Sequence, residues 1–229
     1  FKLPDELLGE IVTPNESARQ KQLPKLLESS LSGPIGTIPI NKKVSPGQTV
    51  AVIIDDISRP TPVIDILPSV LEELLEGGIR KTDITIVIAL GTHRPLTRQE
   101  IESKVGQTIA SDYRFVNVSC DSKDDMALVG NEGDAVPFSI NKWVANADVR
   151  VGIGAIFPHL DAGFSGGGKI ILPGVCDCRT IDALHANSAE ITGNQLGNPE
   201  APTRKRLEDM VARYAPLDFI VNVVLDLNG

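Results

Sequence analysis

The chain has 229 residues, 41% of them hydrophobic and 23% charged, a balance that suits a globular core and excludes disorder or a fibrous repeat. Its 22 Lys and Arg against 30 Asp and Glu leave a net charge of -8, which disfavours nucleic acid and anionic membrane surfaces while still permitting a local basic pocket for a small anion. No stretch approaches the ~20 apolar residues that cross a bilayer, and the segment Phe1 to Glu6 has no signal-peptide layout, so the expected location is cytoplasmic.

In chain order, a helix is expected from Ser17 to Ser30, where Leu23, Leu26, Leu27 and Leu31 recur near helical spacing, with Pro24 as its weak point. Thr49 to Ile54 is an apolar, β-branched run of the kind that forms a strand covered on both faces. After Asp55 to Pro62, Ile64 to Leu75 has helical periodicity and stops at Gly77-Gly78. A second buried strand, Ile84 to Leu90, runs into Gly91-Thr92-His93-Arg94-Pro95. Thr97 with Glu100 then reads as a capping box opening a helix to about Val105. Further strands are expected at Arg114 to Ser119, Val149 to Gly154 and Phe219 to Leu225, with helices at Thr180 to Ala189 and about Pro202 to Tyr214. Alternation of this kind predicts an α/β fold, a mostly parallel, Rossmann-like sheet with helices on both faces.

Three cysteines, Cys120, Cys176 and Cys178, are an odd number and do not suggest a disulfide framework. Cys176-x-Cys178 lacks a second pair at zinc spacing and reads as two small residues near a helix start. Asp124-Asp125 and Arg204-Lys205-Arg206 read as solvated charge runs without chemistry.

Three polar loops follow the carboxyl ends of predicted strands: 56–60, 91–95 and 159–169. In open α/β sheets ligands bind outside those ends, so the loops are candidates to meet in one site. Asp56 and Arg59 either pair with each other, or the guanidinium holds a carboxylate or phosphate while the aspartate accepts from a hydroxyl. His93 and His159 each sit just past a strand, either as ordinary loop histidines or as two groups that exchange protons with a substrate. His185, in a helical segment, is either structural or a metal ligand on a rigid element. Gly163-x4-Gly168-Lys169 matches most of a phosphate-binding loop, but Ile170 stands where a magnesium-binding Ser or Thr is needed. Lys169 beside Ile170, Ile171 and Leu172 is placed to have its pKa lowered and to act as a nucleophile or attachment point.

Taken together, Asp56-Ile57-Ser58-Arg59-Pro60 (family form D-x-[ST]-R-P), Gly91-Thr92-His93-Arg94, Pro158-His159 with Ala162 to Lys169, and the downstream His185 resemble the lactate racemase family of nickel-pincer-nucleotide enzymes. The resemblance runs from about Leu3 to Leu225 and implies that residues 1–229 are the N-terminal catalytic and cofactor-binding domain, with a smaller C-terminal domain absent from this chain. It implies a racemase or epimerase, an isomerase of lactate-like 2-hydroxy acids working by hydride transfer. The implied cofactor is a nickel-pincer nucleotide, a pyridinium mononucleotide that grips nickel, attached covalently at Lys169. His185 would then ligate the metal; Asp56, Ile57, Ser58 and Arg59 would bind the cofactor; His93 and His159 would be the paired acid/base groups. Cofactor-synthesis enzymes are implied partners. The competing expectations are a non-catalytic phosphate- or nucleotide-binding module and, more remotely, a zinc hydrolase built on the three histidines.

Overall fold

The computed structural model describes residue 9 and residues 23–130 and 137–225. Helix α1 (Leu23–Ser32) covers the later part of the helix expected at Ser17 to Ser30, and the earlier part lies outside the described residues. It accommodates Pro24 near its described start. A short α2 (Ile40–Lys43) leads into β1 (Val50–Asp55), then α3 (Val63–Glu76), β2 (Ile84–Ala89), α4 (Arg98–Val105), α5 (Gln107–Asp112) and β3 (Arg114–Asn117). A hairpin of β4 (Met126–Gly130) and β5 (Phe138–Asn141) precedes α6 (Lys142–Ala145) and the long β6 (Val149–Ile156). The two-residue strands β7 (Pro158–His159) and β8 (Gly163–Phe164), α7 (Cys178–Ala189), α8 (Pro202–Tyr214) and β9 (Phe219–Val224) complete the order.

Five strands form one parallel sheet in the order β3-β2-β1-β6-β9. Its strands β1 and β2 are largely apolar and buried because both faces are covered, as the runs at 50–54 and 84–88 require. On one face Val52, Ile54, Ile86 and Ile88 pack with Ile66, Leu67 and Leu74 of α3 in a core that reaches from α1 to α5. On the other, Ala51, Ile53 and Val87 belong to a second core with Phe138 and Ile140 of the hairpin, Ile181 of α7 and Leu207 of α8. The α/β expectation is therefore met, and among the described residues no helix is long and apolar enough to cross a membrane.

The capping box is present: the Thr97 hydroxyl accepts from the Glu100 N–H at 3.3 Å while the Glu100 carboxylate accepts from the Thr97 N–H at 2.8 Å. Sequence reading missed α5, which Gly106 separates from α4 at φ 86°, and the hairpin, whose strand β4 is half-exposed and carries little alternation. One expectation is overturned. Cys120 and Cys178 form a disulfide that ties the segment after β3 to the first residue of α7, and Cys176 is the buried thiol left over. The pair is 58 residues apart in sequence, so only the tertiary fold brings it together.

Candidate active site

Strand order runs outward from β1 through β2 to β3 on one side and from β6 to β9 on the other, so the direction of winding reverses between β1 and β6. Such a switch point leaves a crevice at the carboxyl ends of the strands, and all three polar loops open into it.

The loop after β1 turns at once, with the Arg59 N–H donating to the Asp56 carbonyl at 3.2 Å. Asp56 is buried, and its Oδ1 accepts from the Ser58 N–H at 2.7 Å and the Ser58 hydroxyl at 2.5 Å, an Asx-type turn. Its Oδ2 meets Nδ1 of His93. Burial alone would raise the Asp56 carboxyl, but the bonds from Ser58 and His93 outweigh it and hold the group below the usual range. Of the two readings of Asp56 and Arg59, the mutual ion pair is not formed: the Asp56 carboxylate is engaged by Ser58 and His93. The Arg59 guanidinium instead lies 5.7 Å from the Phe157 ring centre. Behind the loop, Lys104 of α4 sits 2.9 Å from Asp55, which also accepts from Thr61.

The loop after β2 places His93 through a turn, its N–H donating to the Leu90 carbonyl at 2.9 Å, and Gly91 is tied to the Gly174 carbonyl at 2.9 Å. The loop after β6 folds back on itself through the β7–β8 pairing of His159 with Gly163. Nδ1 of His159 accepts from the N–H groups of Asp161 at 3.2 Å and Ala162 at 3.3 Å. Burial, then Lys169, lower the His159 pKa to about 4. Gly163 has no substitute here: at φ 72° any Cβ would lie 1.9 Å from the Asn198 carbonyl oxygen.

Gly166 and Gly167 then take positive φ angles and enter a single 3-10 turn, Gly167–Ile170, that carries Lys169. Arg204 of α8 donates to the carbonyls of Gly166 at 3.0 Å and Ser165 at 3.2 Å, and Glu208 one turn later accepts from the Gly168 N–H at 3.1 Å. These contacts correct the reading of 204–206 as a mere solvated charge run. They also weaken the phosphate-cradle reading. A phosphate loop needs free backbone N–H groups at the start of an α-helix; here the turn is 3-10 and a carboxylate already holds one of the N–H groups.

The result is one cleft of about 200 Å³ lined by Asp56, Arg59, His93, His159, Lys169 and His185. Ile57 and Ser58 do not line it; Ile57 is 47% exposed and Ser58 acts through Asp56. Two residues escaped the sequence reading. Lys104, which stands behind the cleft on Asp55, lacks any motif, and Asn222 of β9 lines the cleft beside Gly154 and Gly166 with its Oδ1 buried and unpartnered among the described residues.

Burial, reinforced by the Arg59 and Arg204 cations, lowers the Lys169 pKa to about 8. Asp161 opposes that shift only weakly and no carboxylate forms an ion pair with Lys169 among the described residues, so its amine gives up its proton more readily than a free lysine. His185 stands exposed on α7, whose start is fixed by the Asp177 carboxylate accepting from the Thr180 N–H at 2.8 Å. Among the described residues the three histidines do not gather as one metal cage; the grouping of three ligand-type side chains is Cys120, Asp121 and Cys178, whose sulfurs are joined to each other. A histidine-only zinc centre is therefore ruled against. The cleft thus gathers an amine of lowered pKa, an arginine, three imidazoles and an amide oxygen without a partner among the described residues.

Residues 1–197 match the family model described as the lactate racemase N-terminal domain. A lactate racemase of Thermoanaerobacterium thermosaccharolyticum is 32% identical over 235 residues, covering 99% of this chain and 54% of its own length. A lactate racemase of Lactiplantibacillus plantarum is 36% identical over 208 residues, covering 87% of this chain and 47% of its own. The chain therefore spans about half the length of these relatives. Among solved structures, the lactate racemase apoprotein from T. thermosaccharolyticum superposes with a TM-score of 0.80 at 32% identity, over 88% of this chain and 48% of that one. A Thermotoga maritima protein does so with a TM-score of 0.69 at 25% identity, over 89% and 51%.

Proposed function

The chain belongs to the lactate racemase N-terminal domain family, and from that premise we propose that it is the cofactor- and substrate-binding half of a racemase or epimerase acting on a lactate-like 2-hydroxy acid. The observation that carries the proposal is the meeting of His93, His159, Lys169 and His185 in one cleft from the loops after β2 and β6 and from α7.

A nickel-pincer nucleotide held here supplies a reversible acceptor for the hydride on the substrate's C2. The protein's part is to bind, orient and move protons. Lys169 is the tether, its amine kept reactive by burial and by two neighbouring guanidinium groups. His185 is the protein's metal ligand. The Asp56 to Arg59 turn holds the cofactor, with Arg59 also available to the substrate carboxylate as a fixed fork. His93 and His159 exchange the hydroxyl proton of the substrate, the Asp56 carboxylate orienting the His93 ring. Alignment of the reacting groups is where such a site gains most of its rate.

The test is intact-mass spectrometry after coexpression with the cofactor-making enzymes, with nickel measured on the same sample. The expected result is one covalent adduct mapping to Lys169, stoichiometric nickel, and complete loss of the adduct in Lys169→Ala. His185→Ala should keep the adduct and lose most of the nickel. A wild-type chain with no adduct under those conditions sinks the proposal.

A further inference from the structure

The segment after β3 and the start of α7 carry a group of side chains that the cleft does not use. Sγ of Cys120, Sγ of Cys178 and a carboxylate oxygen of Asp121 lie within 4.8 Å of one another. Both cysteines are half-buried and Asp121 is exposed, so the group opens to solvent. Oδ1 of Asp121 stands 3.1 Å from Sγ of Cys178. In the disulfide that sulfur has no hydrogen to give, so the carboxylate gains no hydrogen bond from it. The contact becomes productive once the bond is open. From this arrangement we infer a redox-gated metal site: when the disulfide is reduced, Cys120, Cys178 and Asp121 bind one thiophilic divalent cation of the zinc type, and when it forms again the cation is released.

Opening the bond does not scatter the donors, because the two segments are held by backbone as well as by sulfur. The Cys178 N–H donates to the Cys120 carbonyl at 3.1 Å, and the Asp177 N–H donates to the Ser139 carbonyl of β5 at 3.1 Å. The Asp177 carboxylate caps α7 on the Thr180 N–H at 2.8 Å, and the Thr180 hydroxyl donates to the Pro137 carbonyl at 2.9 Å. On the other side the Ser122 N–H closes a turn on the Ser119 carbonyl at 3.2 Å, and the Lys123 N–H donates to the Asp121 carbonyl at 3.0 Å. The three donors therefore stay together in the reduced chain, and a cation that enters them does not have to order the backbone. Cys178 adds a further advantage. It is the first of the 12 residues of α7, where the free N–H groups of the helix start favour the thiolate, the form that ligates metal.

A low-molecular-weight thiol opens the disulfide by exchange: two such thiols are oxidised to their own disulfide, while Cys120 and Cys178 take up two electrons and two protons. The cation then displaces those two protons as two metal–thiolate bonds form. A low-molecular-weight disulfide reverses both steps, its two sulfurs leaving as thiols. Two thiolates and a carboxylate suit a tetrahedral ion of the zinc type, with water in the fourth position. Cys176 does not join them. Its buried thiol donates to the Ile171 carbonyl at 3.2 Å, and burial pushes its pKa up, away from the ligating form. None of the three donors lines the cleft, so the inference stands independently of the racemase reading.

The test is the zinc content of the full chain after dialysis against Zn2+, once with the disulfide intact and once after anaerobic reduction by a phosphine that is then removed. Reduced wild type should hold one zinc more than oxidised wild type. That extra zinc should disappear in Cys120→Ser and in Cys178→Ser, bind at least about tenfold more weakly in Asp121→Asn, and remain in His185→Ala, which separates it from the cleft. Co2+ in place of zinc should give thiolate-to-metal charge-transfer absorption and the intense visible bands of a tetrahedral ion, both bleached when oxidised glutathione is added. Equal zinc in oxidised and reduced wild type, or cobalt bound without charge-transfer absorption, would overturn the inference, and neither comparison depends on a variant that folds. An extra zinc that persists in Cys120→Ser would overturn it as well. A missing Lys169 adduct would sink the racemase reading and leave these results untouched.

Discussion

Two lysines flank the candidate site and are treated in opposite ways. Lys104 of α4, with its side chain 6% exposed, sits 2.9 Å from Asp55 at the end of β1, and the same carboxylate accepts from Thr61. Lys169, on the 3-10 turn, faces Arg59 and Arg204 and has no carboxylate partner among the described residues. A buried charge that is paired holds backbone in place; one left unpaired costs stability and keeps a reactive amine. The contrast separates the scaffold of the cleft from its chemistry, and it indicates function at a residue that packing alone would have replaced by methionine or leucine.

The sharpest way to break this contrast is to remove the paired lysine. Lys104→Met should destabilise the chain by about 3 kcal/mol at pH 7, because it strands the Asp55 carboxylate in a poorly solvated place. Urea unfolding measures it. The sign of its pH dependence follows from Asp55, whose pKa burial already raises despite Lys104 and Thr61. A carboxyl with a raised folded pKa opposes folding once it ionises, so the deficit of the variant should shrink as pH falls and the group takes up its proton. Lys104→Met with Asp55→Asn should recover much of the loss. A variant as stable as wild type at pH 7 would mean that the pair holds nothing.

The unpaired lysine should give the opposite sign and a smaller effect. Lys169 has a folded pKa of about 8 against 10.5 for the free side chain. Below pH 8 it is protonated in both states and the full cost of holding the cation is present; that cost fades between about pH 8 and 10.5 and is gone above. Lys169→Met should therefore stabilise the chain by about 2 kcal/mol at pH 7, with the gain vanishing at high pH. A destabilised Lys169→Met at pH 7 would show that the side chain is held by contacts that outweigh its charge. A gain of stability on deleting Lys169 is the trade expected of an active-site residue.

The contrast also explains what could be read from the chain. Strands at 50–54 and 84–88 and the helix at 63–76 were legible because burial on both faces writes itself as unbroken apolar runs and helical spacing. The site loops were legible because glycine, histidine and a motif-bearing lysine stand in them for reasons packing does not supply. Lys104 was not legible: in Glu102-Ser103-Lys104 it looks like any exposed helix position, and only the docking of α4 against the end of β1 turns it inward. Arg204 was hidden in a run of cations for the same reason, since which of three neighbours faces the glycine turn depends on the rotation of α8. The Cys120–Cys178 bond and the Asp56–His93 contact likewise join segments 58 and 37 residues apart, and separation of that kind leaves no local trace.

The smallest effect distinguishes two explanations of the largest. Lys104 belongs to α4, so its removal acts either by orphaning Asp55 or by loosening the helix that carries it. Thr97→Ala removes the hydroxyl that accepts from the Glu100 N–H, half of the box that opens α4, and should cost about 1 kcal/mol. Thr97 lies seven residues from Lys104, roughly 10 Å along the axis at ~1.5 Å per residue, and the two share no partner. If the lysine works through Asp55 alone, the double variant Thr97→Ala with Lys104→Met should lose the sum of the two single losses to within about 0.5 kcal/mol. A shortfall of 1 kcal/mol or more would mean that each change frays the same helix, and the paired lysine would then be a helix-docking residue more than the counter-ion of the strand end.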